Sequence, residues 1–202
     1  MKVCCCTYYS PSHQALADIH LPNLSEYCHR HGYYMWVENI ENDKWEYKKH
    51  EMFTELFEKG FDVIWYRDID SLITNLTIPV TVFIKEYRDF FLTMDFTELN
   101  GGSVIIKNTS AGKRFNDLIL SLRGRYENEQ NCYNALESDD ADYSIEVLPQ
   151  QTINSYRYEE YKEIGKLSPL DGQWEEGHFV LHTPGLPFKK RVEVLKNAKL
   201  TR

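Results

Sequence analysis

Val63-Ile64-Trp65-Tyr66-Arg67-Asp68-Ile69-Asp70 is an apolar run that ends in two carboxylates one residue apart. Its β-branched and aromatic residues suit a pleated, buried surface, so Phe61 to Tyr66 reads as a fully buried strand. Just upstream, Lys48 to Lys59 carries Met52, Phe53, Leu56 and Phe57 on one helical face, and Gly60 closes it. A helix feeding a wholly apolar strand is the unit of an α/β fold with a largely parallel sheet. Ligands of such open sheets gather outside the carboxyl ends of the strands, where Asp68 and Asp70 stand. Two carboxylates there can hold a hard divalent cation, which neutralises phosphate oxygens in turn.

The pattern extends in both directions. Val3 to Thr7 reads as a buried first strand, Ala15 to His31 as a helix interrupted by Pro22, and Tyr33 to Glu38 as a second strand. Downstream, Pro79 to Phe83 and Asp89 to Met94 read as shorter strands. Gly101-Gly102 reads as a turn leading into the buried strand Ser103 to Lys107, and lets a ligand or backbone approach closely. Helices follow at Ser110 to Arg123 and Glu129 to Leu136, then a strand at Ile145 to Leu148. Residues 156–166, rich in Tyr and Glu, read as surface. Phe179 to His182 is a last strand, and its terminal imidazole is either a third metal ligand or a structural histidine. Lys189-Lys190-Arg191 reads as the solvated end of a final short helix. There is no repeat and no linker, so a single domain is expected.

Composition narrows the function. The 202 residues carry 23 Lys and Arg against 31 Asp and Glu, a net charge of -8. That balance disfavours nucleic acid and anionic lipid as partners. No apolar run reaches the ~18–20 residues of a membrane span, and the N-terminal run is too short for a signal peptide. Five cysteines, at positions 4, 5, 6, 28 and 132, form no CxxC pair. They read as small, reduced, buried residues of a cytoplasmic protein that is not secreted. Fourteen tyrosines suggest exposed rings.

Taken in order, His31-Gly32-Tyr33, Trp45-x-x-Lys48, Trp65 to Asp70, Leu99-Asn100-Gly101-Gly102-Ser103, Glu129-Gln130-x-x-x-Asn134 and Gly177 to His182 resemble the metal-dependent nucleotide-sugar glycosyltransferases of the GT-A fold. The pattern is most similar to the galactosyl, mannosyl and xylosyl transferase group, and it spans nearly the whole chain. The resemblance implies an α/β, GT-A (Rossmann-like) mixed and mostly parallel sheet flanked by helices. Residues 1–108 would form the nucleotide-sugar and metal half and 109–202 the acceptor side. It implies Mn²⁺ or Mg²⁺ on Asp68, Asp70 and His182. The donor would be a UDP-sugar, hexosyl or deoxyhexosyl, held by Thr7, Tyr8, Tyr9, Lys48 or Lys49, Arg67, Asp68, Asn100, Gly101 and Gly102. The acceptor would be a hydroxyl of a glycan or glycoprotein. Glu129 and then Asp95 are the candidate catalytic carboxylates. Arg67 stands where the group has a small or apolar residue, Glu129 where Asp is usual, and Thr183-Pro184 where an aromatic–small pair is usual. So short a chain fits a microbial or viral enzyme, or one domain of a longer polypeptide. The competing readings are a haloacid-dehalogenase-type phosphatase, with Asp139-Asp140 as its second acidic motif, and a nucleotide- or carbohydrate-binding module without turnover.

Overall fold

A computed structural model describes residues 1–41, 45–96, 98–137, 144–162 and 172–202. In chain order the elements are β1 (Val3–Tyr9), α1 (Gln14–His31), β2 (Tyr34–Asn39), α2 (Lys48–Glu58), β3 (Val63–Arg67), β4 (Ser71–Ile73), β5 (Phe90–Met94), β6 (Leu99–Lys107), α3 (Ser110–Ser121), α4 (Glu129–Glu137), β7 (Ile145–Leu148), α5 (Gln150–Ile153), β8 (Ser155–Tyr156), α6 (Glu159–Lys162), β9 (Val180–His182) and α7 (Phe188–Lys196). The main sheet has the order β2-β1-β3-β6-β5-β7. β6 runs antiparallel to both its neighbours, and the other pairings are parallel. The result is the expected mixed, mostly parallel sheet.

Side chains alternate across this sheet, and the three consecutive cysteines show it. Cys4 and Cys6 join the core beneath α2, α3 and α4, with Met52, Phe53, Phe90 and Tyr133. Cys5 faces the opposite core with Leu24 and Tyr27 of α1. All five cysteines are free thiols and buried. The Tyr-rich composition suggested exposed rings, but many tyrosines are inside, Tyr47, Tyr133 and Tyr156 among them.

A second sheet, β4-β9-β8, is built from very short strands. β4 continues the chain directly after Asp70 and pairs antiparallel with β9, placing Ser71 opposite His182. The other edge of β4 is covered by side chains of α1. His20 Nδ1 donates to the Ser71 carbonyl (2.7 Å), and the Asn23 amide takes both the N–H and the C=O of Ile73 (2.8 and 2.9 Å).

Four expectations need correction. α1 runs unbroken through Pro22, whose ring lies on the exposed side while its neighbours Asn23 and Leu24 are anchored inside. Pro79 to Phe83 is not a strand. Val80 to Phe83 form a 3-10 turn capped at Pro79, and the Tyr27 hydroxyl takes the Val80 N–H that a neighbouring strand would have used. Gly101 and Gly102 lie inside β6, which starts at Leu99. Within 156–162 Glu159 is exposed as expected, but the tyrosines are not: Tyr156, Tyr158 and Tyr161 are buried, packing on one another and on Phe96. Residues 163–166 of that segment lie outside the described residues.

Candidate metal and donor site

The carboxylates stand where β3 leaves the main sheet and enters the small one. Their backbone is pinned on both sides. Asp68 N–H donates to the Gly102 carbonyl (2.7 Å), and Ser71 returns its N–H and hydroxyl to the Asp68 carbonyl (3.2 and 2.5 Å). Thr183 does the same for the Asp70 carbonyl through N–H and hydroxyl (3.1 and 2.8 Å). The β4–β9 register then delivers His182. Its Nε2 lies 3.0 Å from Asp70 Oδ1 and 3.8 Å from Asp68 Oδ2. The ligand atoms of all three lie within 4.8 Å of one another. Gly102 makes this possible, because a Cβ there would sit 2.2 Å from His182 Cε1 and 2.8 Å from Asp68 Oδ2.

The two aspartates differ in character. Burial pushes the Asp70 carboxyl up, but His182 and Arg191 outweigh it and hold it down at about 2. Asp68 is the more open of the pair, yet loss of water in the cleft wall raises its carboxyl, with Lys49 pulling the other way. Asp68 also accepts the Tyr66 hydroxyl (2.7 Å). Two carboxylate oxygens and one imidazole nitrogen, converging on one point, are a donor set for a divalent cation. The residues present fit that group.

Two connected cavities flank the carboxylates. The outer one, about 300 Å³, is lined by Tyr8, Tyr9, Ser10, His13 and Arg191. The inner one, about 280 Å³, is lined by Lys49, Asn100, Gly101, Gly102, Glu129 and Gln130. Tyr8, Trp45 and Asp68 border both. Lys49 is buried in the inner wall, 2.7 Å from Glu129 Oε1 and 2.5 Å from the Gly101 carbonyl, over the Tyr66 ring. Burial pushes Glu129 up, but its bonded lysine prevails and the carboxyl stays below its usual range. Its Oε2 is buried with no hydrogen-bond partner among the described residues.

Of the expected residues, Tyr8, Tyr9, Asp68, Asp70, Asn100, Gly101, Gly102, Glu129 and His182 come together here, with Lys49 as the lysine of α2 that enters. Three do not. Arg67 is fully buried and lines neither cavity, its guanidinium 5.0 Å from the Trp65 ring. The cause is strand alternation: Tyr66 points to the cleft, so Arg67 points the other way. Thr7 fails for the same reason beside Tyr8, and is likewise buried outside the cleft. Lys48 turns to Glu38 (2.6 Å), one residue around the helix from Lys49. Asp95 stands behind the inner wall, where it accepts from Asn100 Nδ2 (3.1 Å) and the Tyr156 hydroxyl (3.0 Å).

Arg191 is the site residue that the sequence reading missed. It is not a solvated helix end. From inside α7 its Nη1 donates to Asp70 Oδ2 (3.1 Å), with Nε anchored on the Leu186 carbonyl (2.6 Å). The available signal was position: a helix opening soon after His182 starts beside the Asp68–Asp70–His182 cluster.

This sheet order, with an Asp-x-Asp turn at the end of its third strand, is the GT-A glycosyltransferase fold. The chain is similar to the crystal structure of a glycosyltransferase involved in the glycosylation of the major capsid of PBCV-1. The TM-score is 0.76 at 15% identity, covering 97% of this chain and 99% of that one. It is also similar to the galactosyltransferase LgtC in complex with donor and acceptor sugar analogs, at TM-score 0.57 and 10% identity over 98% and 97% of the two chains. The glycosyltransferase GlyE of Streptococcus pneumoniae TIGR4 matches at TM-score 0.60 and 12% identity, over 99% of this chain and 66% of that one. No protein-family model and no curated protein matches the sequence. Among the described residues no helix is long and apolar enough to cross a membrane. Asp139-Asp140, the second motif of the phosphatase alternative, lies outside the described residues.

Proposed function

We propose that this chain is a metal-dependent glycosyltransferase that moves a sugar from a UDP-sugar to a hydroxyl of a glycan. The observation that carries the reading is the Asp68–Asp70–His182 cluster at the junction of two cavities of unlike character. The outer cavity offers tyrosine rings and an arginine, which suit a nucleoside and its diphosphate. The inner one offers a lysine, a carboxylate and amides, which suit a polyhydroxylated sugar. The mixed oxygen and nitrogen donor set favours Mn²⁺ over Mg²⁺, which prefers oxygen alone.

Asp68, Asp70 and His182 would hold the cation, which supplies positive charge against the leaving diphosphate. Arg191 gives up Asp70 and turns its guanidinium to the phosphates, a few bonds from where it now sits. Tyr8 and Tyr9 hold the nucleoside, and Gly101 and Gly102 leave room for the sugar where any side chain would intrude. Glu129 Oε2, orphaned at the inner wall, accepts a hydroxyl of the sugar nearest the reacting carbon. Asp95 acts from behind, holding Asn100 in place. A structural neighbour named as involved in the glycosylation of the major capsid of PBCV-1 is consistent with a glycoprotein acceptor and a viral setting.

Thermal unfolding with Mn²⁺ and a panel of UDP, GDP, CMP, UDP-glucose and UDP-galactose tests it. A ligand at a hundredfold excess over its Kd stabilises the native state by about 2.7 kcal/mol. Stabilisation by UDP ligands, dependent on Mn²⁺ and lost in Asp70→Ala, is the expected result. No stabilisation by any nucleotide refutes the proposal.

A further inference from the structure

The His182 ring is gripped from behind by a chain of amides that begins at an unambiguous donor. The backbone N–H of Gly102 donates to Asn100 Oδ1 (2.8 Å), which fixes which end of the Asn100 amide is oxygen. The same oxygen lies 3.1 Å from Asn154 Nδ2, which must therefore be the donating nitrogen. Nδ2 donates also to Thr93 Oγ1 (2.8 Å). The Asn154 oxygen is thereby turned to His182 Nδ1 at 2.6 Å, so Nδ1 carries the proton. With Nδ1–H committed to the Asn154 oxygen, Nε2 is the ring nitrogen left for a cation, and it lies 3.0 Å from Asp70 Oδ1. Asn154 is completely buried, at the junction of α5 and β8, with its own carbonyl tied to Gln150 Nε2 (3.2 Å).

We propose that Asn154 is a positioning residue for the metal. It holds His182 in the Nδ1–H tautomer, so that Nε2 is a ligand rather than a hydrogen-bond donor to Asp70. The proposal rests on the metal reading of the cluster. Without the amide the ring is free to take the Nε2–H tautomer, donate to Asp70 and close the site against the cation. Partners of this kind behind a ligating histidine change metal affinity roughly ten- to a hundredfold when removed.

Two measurements test it without using turnover. Calorimetric titration of the nucleotide-free protein with Mn²⁺ should show Kd raised roughly ten- to a hundredfold in Asn154→Leu. Asn154→Asp keeps an acceptor for Nδ1–H and should bind within a few-fold of wild type. In wild type labelled with ¹⁵N-histidine and loaded with Zn²⁺, the His182 Nε2 resonance should move on loading while Nδ1 keeps its proton. This arm stands even where the leucine variant fails to fold. Wild-type affinity in Asn154→Leu, or a proton on Nε2 in the loaded protein, overturns the proposal alone. A wild type that binds no Mn²⁺ overturns the metal reading, and the role of Asn154 falls with it.

Discussion

Replacing Arg191 with alanine should change metal and nucleotide binding in opposite directions. Both Asp70 oxygens are engaged: Oδ1 faces His182 and Oδ2 accepts from Arg191 at 3.1 Å. A cation bound to Asp70 Oδ1 must share the carboxylate with the guanidinium on Oδ2 and tolerate its charge nearby. Two unit charges at that separation interact by about 5 kcal/mol at an effective dielectric of ~20, and by about 1.3 kcal/mol in bulk water. Arg191 is 24% exposed, and desolvation and side-chain ordering offset part of the attraction. A net value of about 1–2 kcal/mol remains, roughly a 5- to 30-fold effect on affinity. Calorimetric titration of nucleotide-free Arg191→Ala with Mn²⁺ should therefore give tighter binding by that factor. UDP binding to the Mn²⁺-saturated variant should weaken about tenfold or more, the loss expected for a charged hydrogen bond to phosphate. If the variant binds Mn²⁺ no more tightly than wild type, Arg191 does not compete for Asp70. If UDP affinity is unchanged, its role at the diphosphate falls instead.

Gly102→Ala should cost about 1–3 kcal/mol of stability and lower Mn²⁺ affinity at least about tenfold, because its methyl group occupies the space of His182 Cε1; wild-type Mn²⁺ affinity would count against the assigned geometry. Lys49→Met leaves the Glu129 carboxylate buried without its partner and should destabilise by about 3–5 kcal/mol, much of it recovered in the double variant with Glu129→Leu; denaturant unfolding of the three variants checks this, and additive effects would refute the coupling. Burial lowers His50 to about 4 and His20 to about 3, against an ordinary 6.5. The unfolded chain thus binds more protons below pH 6.5, so this stability is complete above that pH and is lost on acidification. Each histidine removes about 1.4 kcal/mol per pH unit down to its folded value. Urea unfolding at a series of pH values should show the decline between 6.5 and about 4, and a flat profile would refute it.

The sequence is legible where one interaction dominates. β3 is apolar on both faces because both faces are buried, and nothing else explains Val-Ile-Trp-Tyr before Asp-x-Asp. The amphipathic face of α2 is equally clear. Legibility fails where the deciding partner is distant. Arg191 looks like a surface cation until α7 brings it to Asp70, 121 residues away. Gly101 and Gly102 carry no side chain to show a period, so a strand interior looked like a turn. Tyrosine reads as polar in a Glu-rich segment, yet Tyr156, Tyr158 and Tyr161 bury one another's rings while their hydroxyls find Asp95, Gln150 and the Pro184 carbonyl. Arg67 is different. Alternation along β3 was enough to exclude it from the cleft that Tyr66 faces.

On the proposed reading, the charges of the site would make metal and donor bind as a pair. Asp70 and Glu129 are balanced within the chain by Arg191 and Lys49, while Asp68 lies 3.8 Å from His182 Nε2. A cation arriving alone would have to share Asp70 with Arg191 and sit beside its charge. A nucleotide diphosphate arriving alone meets Asp68 and Asp70, with Arg191 still engaged elsewhere. When both arrive, the cation would take the aspartates and the guanidinium the phosphates, so that each charge would have a partner. Cooperativity between metal and donor thus follows from one arginine having two alternative anions within reach. It needs no movement of the main sheet. The small β4-β9-β8 sheet supplies the rest, since it fixes His182 beside Asp70, with Asn154 behind the ring, before any ligand is bound.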